Sequence, residues 1–401
     1  MGERRRLYYL SGAPRVSTHP DADAGGPRTH VLGIIQGFEQ LGWDVSRFIV
    51  GDRVPQSWTG ARSREAIARG YLHRVAADIA RIVMASVNAR RAKREAPEAI
   101  DWVYERFGIF QGLGRFFQRN GIPWILETNG LISEEAKYVR KTVALGGIAK
   151  RLEFQAYRDC DVLICISEEL KRVIVDAAKI PEEKVVVVPN GVDPDFFDPR
   201  RYRPRRMTEA FTIGFVGGLA AWSGLDLLLE ALHAVRAEGL DVVAVIIGDG
   251  IMRNTLEEMV ESLGLRDCVT FVGHVPRHEV ANYTLGFDVG YSGQVPRQMG
   301  TMWCSPLKLY EYLALGKPVI ASAFADARTV IRDGVTGYLF EPQDLEGLKK
   351  AIVRAFRDRS RFDADAVRAS VVEHHSWRSR VQRMIADIET RLRERPLAGR
   401  T

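Results

Sequence analysis

Residues 305–322 read SPLKLYEYLALGKPVIAS, and this stretch is the clearest guide to the fold. Ser305 is a favoured helix-capping residue, and Pro306 suits the first helical position. Gly316, with a proline two positions further on, supplies a helix stop. The pattern predicts a helix over 306–315 that leads directly into a short apolar strand. Alternation of helices with apolar strands is typical of α/β proteins with parallel sheets.

The same alternation continues along most of the chain. The predicted strands are RLYYLSG, WVYERF, PWILETN, DVLICIS, KVVVVPNG, FTIGFVGG, DVVAVIIGDG, VTFVGH, FDVGYSG, PVIAS and GYLF. Between two such series, the segment 192–207 is rich in proline and arginine and lacks periodicity, so we interpret it as a linker. We therefore predict an α/β fold of two doubly wound, Rossmann-like domains, over 1–195 and 208–375. A last amphipathic helix within 376–401 is expected to cross back to the first domain.

Composition limits the class of protein. The chain has 401 residues, of which 46% are hydrophobic, and this is enough to bury a core in each domain. No apolar run approaches the ~20 residues of a membrane span, and the apolar run near the N-terminus is too short for a signal peptide. The four cysteines form neither a CxxC pair nor a Cys/His cluster. We expect a cytoplasmic protein without a disulfide framework or a zinc site.

Positive charge is concentrated between residues 61 and 96, where nine arginines and lysines stand against three acidic residues. A solvated, arginine-rich helix face is the simplest explanation. The alternative is peripheral contact with an anionic membrane surface or with an acidic partner. Nucleic acid is not an expected partner, because no recognition fold and no aromatic–basic interleaving accompany the charge.

Lys308 and Glu311 lie three residues apart in the first part of the predicted helix. A helix start presents unpaired N–H groups and favours an anion such as phosphate, whereas a lysine there is unfavourable unless an anion is bound. A carboxylate can accept two hydroxyl hydrogen bonds, which suits the diol of a ribose. The pattern is consistent with a nucleotide site, with phosphate on Lys308 and ribose on Glu311. The simpler alternative is an i,i+3 ion pair.

The stretch SPLKLYEYLALGKPVIAS resembles the donor-site helix of the family 4 retaining glycosyltransferases, the "group 1" enzymes with the GT-B architecture. A branch of that family has SPLK-x-x-EYMA-x-GKPV-x-AS. Further segments resemble the family in the same order: AGGPRTHVLGIIQGFEQLGWDV, VYERFGIFQGLG, PWILETNG, VLICISEELKRVI, VVVVPNGVDPDFF, IGFVGGLAAWSGLDLLLEAL, VIIGDG, VTFVGHVP and DGVTGYLFEPQD. No single segment decides the matter, but together they cover most of residues 7–345.

The resemblance implies two domains facing each other across a cleft, with a nucleoside-diphosphate sugar bound mainly by the second and an acceptor mainly by the first. It implies sugar transfer with retention at the anomeric carbon, without a cofactor. Glu311 would hold the ribose of the donor. The other implied donor contacts are Lys308 and the backbone at Leu307–Leu309 for the diphosphate, backbone around His274 and Val275 for the base, and Gly25 and Gly26 for approach from the first domain.

Two segments of the donor site depart from the family pattern. Trp303 stands where the common pattern has a glutamate, so recognition of the donor sugar must differ. In the loop GGLAAWSG, Gly218 and Ser223 occupy the positions of two basic residues, so Gly218 lies at the donor site without a charge to offer the leaving diphosphate. We expect Lys308 and the helix start to replace that charge, or Arg297 to enter from the loop SGQVPRQMGTMW. Arg297 as a solvated loop residue is the alternative.

Asn129, in LETNG, stands where many relatives have a histidine. An asparagine can hydrogen-bond a sugar hydroxyl but cannot transfer a proton at neutral pH, and it is also a common turn residue before glycine. Glu127, two residues earlier, points to the same side of its strand. It either contacts the acceptor or is a structural carboxylate. We take Glu127 and Asn129 as the candidate catalytic residues.

Asp21 and Asp23 have the D-x-D spacing of metal-dependent glycosyltransferases, but the surrounding sequence does not fit that fold. We therefore expect no metal site.

The prediction from these observations is a retaining, metal-independent glycosyltransferase with a nucleotide-sugar donor and an unidentified acceptor hydroxyl. Two alternatives remain open. One is a nucleotide-sugar epimerase or hydrolase of the same architecture, and the other is a non-catalytic nucleotide-sugar-binding protein.

Overall fold

The computed structural model describes residues 4–20, 22, 25–55, 70–296 and 302–394. The chain divides into two compact units. The first unit comprises Met1–Pro189 together with Trp377–Thr401, and the second comprises Asn190–Ser376.

The first unit contains a six-stranded parallel sheet. Its strands are β1 (Arg6–Ser11), β2 (Asp44–Ile49), β3 (Trp102–Arg106), β4 (Trp124–Thr128), β5 (Val162–Cys165) and β6 (Val185–Val187). They lie in the order β2-β1-β3-β4-β5-β6, so the chain leaves β1 for β2 on one side and returns to β3 on the other. Strand β2 was not among the predicted strands. Its sequence DVSRFI is exposed or half-buried over its first four residues, so it lacks the continuous apolar run that marked the others.

The second unit contains a six-stranded parallel sheet as well. Its strands are β7 (Phe211–Val216), β8 (Val242–Ile247), β9 (Val269–Gly273), β10 (Val289–Ser292), β11 (Val319–Ser322) and β12 (Gly337–Phe340). The order β12-β11-β10-β7-β8-β9 is that of the doubly wound nucleotide-binding fold. Its central strands are buried on both faces, which explains runs such as VVAVII without polar alternation.

Fourteen helices connect and cover the strands of the described residues. They are α1 (Gly26–Gln40), α2 (Tyr71–Arg94), α3 (Arg115–Arg119), α4 (Ile132–Glu134), α5 (Gly146–Asp159), α6 (Glu168–Ala178), α7 (Leu225–Ala237), α8 (Arg253–Ser262), α9 (Arg277–Leu285), α10 (Leu307–Ala314), α11 (Ala325–Val330), α12 (Leu345–Arg357), α13 (Ala364–His375) and α14 (Trp377–Glu394). Side-chain caps start several of them. For example, the Ser167 hydroxyl accepts the Leu170 N–H at the start of α6.

The segment 192–207 is not a free linker but part of the second unit. The Val192 N–H donates to the His375 carbonyl at 3.0 Å. Arg368 donates to the Phe197 carbonyl at 2.6 Å and to the Pro194 carbonyl at 2.8 Å. Phe197 is buried. Low periodicity therefore reflected an irregular but packed segment, and the boundary between the units lies at Pro189/Asn190.

The final helix of the described chain belongs to the first unit. Helix α13 ends at His375, Ser376 is extended, and α14 begins at Trp377. The buried side chains of α14 recur at helical spacing and are Trp377, Val381, Met384 and Ile388. They form the apolar face that α14 turns toward the first unit, where the helix packs along α1.

Candidate functional site

The loop after β7 and the start of helix α10 lie at the point where the second sheet reverses its strand order. The chain leaves β7 for β8 on one side of the sheet and leaves β10 for β11 on the other, while β7 and β10 are neighbours. Ligands of open α/β sheets bind in the crevice beyond the carboxyl ends of such strands. Here that position is occupied by the glycine loop after β7 and by α10, which follows β10.

Lys308 lies at this position and is half-buried. Its Nζ is 3.5 Å from the ring centroid of Phe215, the fifth residue of β7. A Cβ atom placed on Gly217 would stand 3.0 Å from the same Nζ, and Gly217 has a φ of +146°, which side chains rarely adopt. Glycine is therefore required where the loop after β7 passes Lys308, and the structure brings together two parts of the predicted donor site that are far apart in sequence.

Helix α10 starts one residue later than predicted. Pro306 is the N-cap, Leu307 is the first helical residue, and no side chain caps the helix. Ser305, the predicted cap, is instead held by Asn190. The Asn190 N–H donates to the Ser305 hydroxyl at 2.8 Å, and the Asn190 amide donates to the Ser305 carbonyl at 2.5 Å. Asn190 thus holds the residue that precedes the N-cap. The N–H groups of Leu307 and Lys308 are left to a ligand or to water.

Burial and charge oppose each other at Lys308 and Glu311. Burial lowers the pKa of Lys308 to about 7, against the opposing effect of the Glu311 carboxylate. Burial also raises the pKa of Glu311, while the positive charges of Arg277 and Lys308 act in the opposite direction. Removing a charge from water is unfavourable, and an anion bound beside Lys308 would favour its charged form.

Arg277 is a charged residue of this site that the sequence analysis missed. It is the first residue of α9, and its guanidinium lies 4.7 Å from the ring centroid of Phe196. Its charge acts on Glu311 more strongly than that of Lys308 does. The one available signal was its position in the sequence. Arg277 follows Val275 by two residues, and the loop at His274 and Val275 was already expected to contact the donor base.

The other predicted donor residues of the second unit fall into two groups. His274 and Gly218 are exposed on loops after β9 and β7. Val275 is half-buried and packs on an apolar cluster, and Leu309 is fully buried, so only its backbone can reach a ligand. Trp303 is also buried. Arg297 lies outside the described residues.

In the first unit, Glu127 is buried at the carboxyl end of β4, and its carboxylate is fully engaged. The Tyr104 hydroxyl donates to it at 2.6 Å and Arg106 at 2.8 Å, and the His30 Nε2 is 2.7 Å away. Burial alone would raise the pKa of Glu127, but His30 and Arg106 lower it to about 2. This geometry favours the structural alternative for Glu127.

Asn129 completes the same polar cluster. In the orientation that gives both the nitrogen and the oxygen of its side-chain amide a partner, Asn129 donates to Glu127 at 2.9 Å and accepts from both terminal nitrogens of Arg106 at 3.1 Å. The sequence analysis missed His30, Tyr104 and Arg106. The pairing of β3 with β4 places Arg106 opposite Glu127, which strand order would have predicted.

Gly25 and Gly26 form the start of α1. Gly25 is the N-cap, with an ordinary φ of −61°, and Gly26 is the first helical residue. A Cβ on Gly25 would approach the ring of Pro27 no closer than 3.8 Å. Within the first unit there is therefore no steric need for glycine at Gly25.

Asp21 and Asp23 lie outside the described residues. Within the ranges that the structure describes, no group of three or more His, Cys, Asp or Glu residues is placed to hold a metal ion.

Comparison with known families accounts for both units. Residues 24–196 match the model described as Glycosyltransferase Family 4, and residues 210–358 match the model described as Glycosyl transferases group 1. The chain carries both domains of a GT-B glycosyltransferase. The first match ends at residue 196, shortly after the boundary at Pro189/Asn190, and the second begins at residue 210, within the second unit.

Three known proteins illustrate the relationship to other glycosyltransferases. An uncharacterized glycosyltransferase of Methanocaldococcus jannaschii is 26% identical over 62% of this chain and 62% of its own length. The Escherichia coli UDP-Gal:alpha-D-GlcNAc-diphosphoundecaprenol alpha-1,3-galactosyltransferase is 28% identical over 67% of this chain and 68% of its own. The crystal structure of Anabaena Alr3699/HepE in complex with UDP-glucose superimposes with a TM-score of 0.63 at 16% identity, covering 96% of this chain and 99% of that one. The chain thus spans less than two thirds of the M. jannaschii relative.

Proposed function

We propose that this protein transfers a sugar, with retention of anomeric configuration, from a nucleoside-diphosphate sugar to an acceptor hydroxyl. The observation that carries the proposal is the placement of Lys308 beside Gly217, at the reversal point of a doubly wound sheet, with Glu311 three residues further along the same helix. A cation at a helix start is unfavourable on its own, and a diphosphate would make it favourable.

In this proposal the diphosphate lies between Lys308 and the loop after β7, where Gly217 leaves room for it. The Leu307 and Lys308 N–H groups and the Lys308 ammonium donate to its oxygens, whereas the Leu309 N–H already donates to the Pro306 carbonyl at 3.1 Å. Glu311 accepts from the ribose hydroxyls, and the base lies against the backbone at His274 and Val275. Each contact pairs a polar group with a complementary one, so the cost of their partial burial is offset on binding.

Departure of the diphosphate needs positive charge, because negative charge develops on it as the glycosidic bond breaks. The loop GGLAAWSG has none, so Lys308 supplies it in this proposal. Arg277 adds a second positive charge close to Glu311. Arg297 stays a further candidate.

The first unit binds the acceptor in this proposal. Asn129 and Glu127 are retained as site residues of that unit, but we assign Glu127 the role of holding Arg106 and His30 in place, since its oxygens are already bonded. The galactosyltransferase from E. coli and the Anabaena structure both involve UDP compounds, so UDP sugars are the first donors to test.

Nucleotide binding tests the donor site directly. UDP, GDP, dTDP and ADP are added to wild type, Lys308→Gln, Glu311→Gln and the control Lys350→Gln, which changes an exposed lysine of the same unit. A nucleotide at about 100 times its Kd stabilises the protein by about 2.7 kcal/mol, which thermal unfolding detects. One nucleotide should stabilise wild type and the control, with most of the shift lost in the other two variants. No shift with any nucleotide in wild type would contradict the donor site.

Transfer itself is tested with the radiolabelled sugar of the nucleotide that binds. Product with the donor's anomeric configuration, determined by NMR, supports the proposal. Free sugar without an acceptor product indicates a hydrolase, an altered sugar on the nucleotide indicates an epimerase, and binding without turnover indicates a non-catalytic protein.

A further inference from the structure

Helix α2 (Tyr71–Arg94) leaves an apolar stripe exposed on one side. Leu72 is 79% exposed, Ile79 53% and Val83 57%. These positions, seven and four residues apart, lie on one side of a helix. Met84, 40% exposed, flanks them. The sequence analysis expected a basic, solvated face here. Apolar side chains of this size in a row on a surface indicate an interaction site rather than a solvated face.

The opposite side of α2 is fixed to the first unit, so the stripe cannot turn inward. The buried carboxylate of Asp78 accepts the N–H groups of Ala144 and Leu145, both at 2.8 Å. It also pairs with Arg81 at 2.7 Å. Further along, the Tyr8 hydroxyl donates to the Ala92 carbonyl at 3.0 Å. The anchors span the helix from its second turn to its last.

Basic residues continue the exposed face where the apolar stripe ends. Arg90, Arg91, Lys93 and Arg94 are exposed in the last turns of α2. The only acidic residue between 71 and 94 is Asp78, which is buried and paired. The helix therefore presents apolar side chains over its first part and four positive charges over its last.

The segment 137–151, which Asp78 of α2 holds at Ala144 and Leu145, is also basic and also exposes apolar side chains. Residues 137–151 contain five arginines and lysines and no acidic residue. Within them Tyr138 is 54% exposed and Ile148 47% exposed. The Lys137 ammonium lies 4.7 Å from the ring centroid of Tyr138.

We propose that this face of the first unit, defined by the exposed side chains of α2, docks on the surface of an anionic lipid bilayer. Apolar side chains enter the boundary between headgroups and acyl chains, and arginine and lysine pair with lipid phosphates, as in helices that lie in a membrane interface. An acidic protein partner would account for the arginine and lysine side chains but not for the exposed apolar stripe. No helix of the described chain is long and apolar enough to cross a membrane, so the contact is peripheral.

Vesicle co-sedimentation tests this inference independently of sugar transfer. The full-length protein is mixed with phosphatidylcholine vesicles, with or without phosphatidylglycerol, at low and high salt. We expect binding only where phosphatidylglycerol is present, and weaker binding at high salt because exposed charges are screened. Absence of binding to phosphatidylglycerol vesicles at low salt would overturn the proposal.

Matched variants separate the two components of the surface. Ile79→Glu/Val83→Glu and, separately, Leu72→Glu place charge on the stripe at exposed positions, so folding should be retained. Each should weaken vesicle binding about tenfold or more. Arg90→Glu/Arg94→Glu should weaken binding by at least about tenfold and remove the preference for phosphatidylglycerol.

The controls make the same chemical changes elsewhere. Val335→Glu replaces an exposed apolar residue of the second unit, and Arg119→Glu reverses an exposed charge of the first. Both should bind vesicles as wild type does. Stripe variants that bind like wild type would overturn the proposal. So would a self-associating wild type that binds no vesicles and becomes monomeric in Ile79→Glu/Val83→Glu, since the stripe would then be an interface between copies of this chain.

Discussion

Among single residues, Lys308 is the one whose protonation should be visible in stability. Its folded pKa of about 7 lies below the ordinary value of 10.5, so the unfolded chain holds this proton over a pH range in which the folded protein has lost it. The free energy of unfolding of wild type, relative to Lys308→Met, should therefore rise with pH between about 7 and 10.5. Urea denaturation of both proteins across this range measures it. Lys350→Met should run parallel to wild type, and a parallel Lys308→Met curve would contradict the prediction.

Glu127 should behave in the opposite way. Its pKa is lowered from 4.5 to about 2, so the stability it contributes is present above about pH 4.5 and is lost as pH falls toward 2. Glu127→Gln leaves Arg106 and His30 without their anion and should cost about 3 kcal/mol or more at neutral pH.

Denaturation at neutral and acidic pH checks this role for Glu127. The difference from wild type should shrink as pH falls. Glu98→Gln, at an exposed position, should show no difference at any pH. A Glu127→Gln protein as stable as wild type at neutral pH would remove the structural assignment.

Single residues also show where sequence reasoning reached its limit. The proximity of Lys308 and Glu311 could be predicted from the sequence, because residues three positions apart lie side by side on the surface of a helix. His30 and Arg106 could not be assigned to the site from the sequence, because each meets Glu127 across a long separation in the chain. For Arg277 the one signal was its position two residues after Val275. Only strand order and helix placement bring such groups together.

The helix pair α1 and α14 depends on two glycines for its close approach. A Cβ on Gly33 would lie 2.2 Å from the Trp377 ring, and one on Gly37 would lie 2.5 Å from a Val381 methyl. Glycine to alanine normally stabilises a helix interior by up to about 1 kcal/mol. Here Gly33→Ala and Gly37→Ala should instead destabilise the protein by about 1–3 kcal/mol through overpacking.

Thermal unfolding tests the packing of this helix pair, with Gly147→Ala in α5 as the control. Nothing lies within 4 Å of a Cβ on Gly147, so that variant should be neutral or slightly stabilised. If all three variants were stabilised alike, the close packing of α1 on α14 would be wrong.

Other elements differed from expectation for identifiable reasons. The segment 192–207 looked like a linker because proline and charge break periodicity, yet Arg368 holds its carbonyl groups on the second unit. Helix α2 looked like a solvated basic helix because basic residues far outnumber acidic ones between residues 61 and 96. Which of its faces is anchored depends on Asp78 and on the chain around Ala144, and composition does not report that.

The chain as a whole consists of two units with separate cores, and destabilisation should follow that division. Trp377→Ala should lower the hydrogen-exchange protection of β1–β6, because Trp377 is buried in the first unit. Phe287→Ala should lower the protection of β7–β12. Each truncation should cost about 3–5 kcal/mol.

Hydrogen exchange followed by mass spectrometry reads both sheets in one experiment. Each variant serves as the control for the other. Equal loss of protection in both sheets of the Trp377→Ala protein would place the last helix outside the first unit's core.

Local pattern was sufficient for every strand of the described residues except β2, and for the helix of Lys308 and Glu311. It was also sufficient for the resemblance that the family matches bear out at the level of a GT-B glycosyltransferase. Periodicity, helix caps and apolar runs involve residues close together in the chain, so they can be recognised in the sequence itself. The tertiary structure alone decided that Lys308 meets Gly217 and that Glu127 is held by His30 and Arg106. It also decided that α14 packs on α1, and which face of α2 is exposed. These contacts depend on strand order, register and helix docking, which arise from packing between segments distant in sequence.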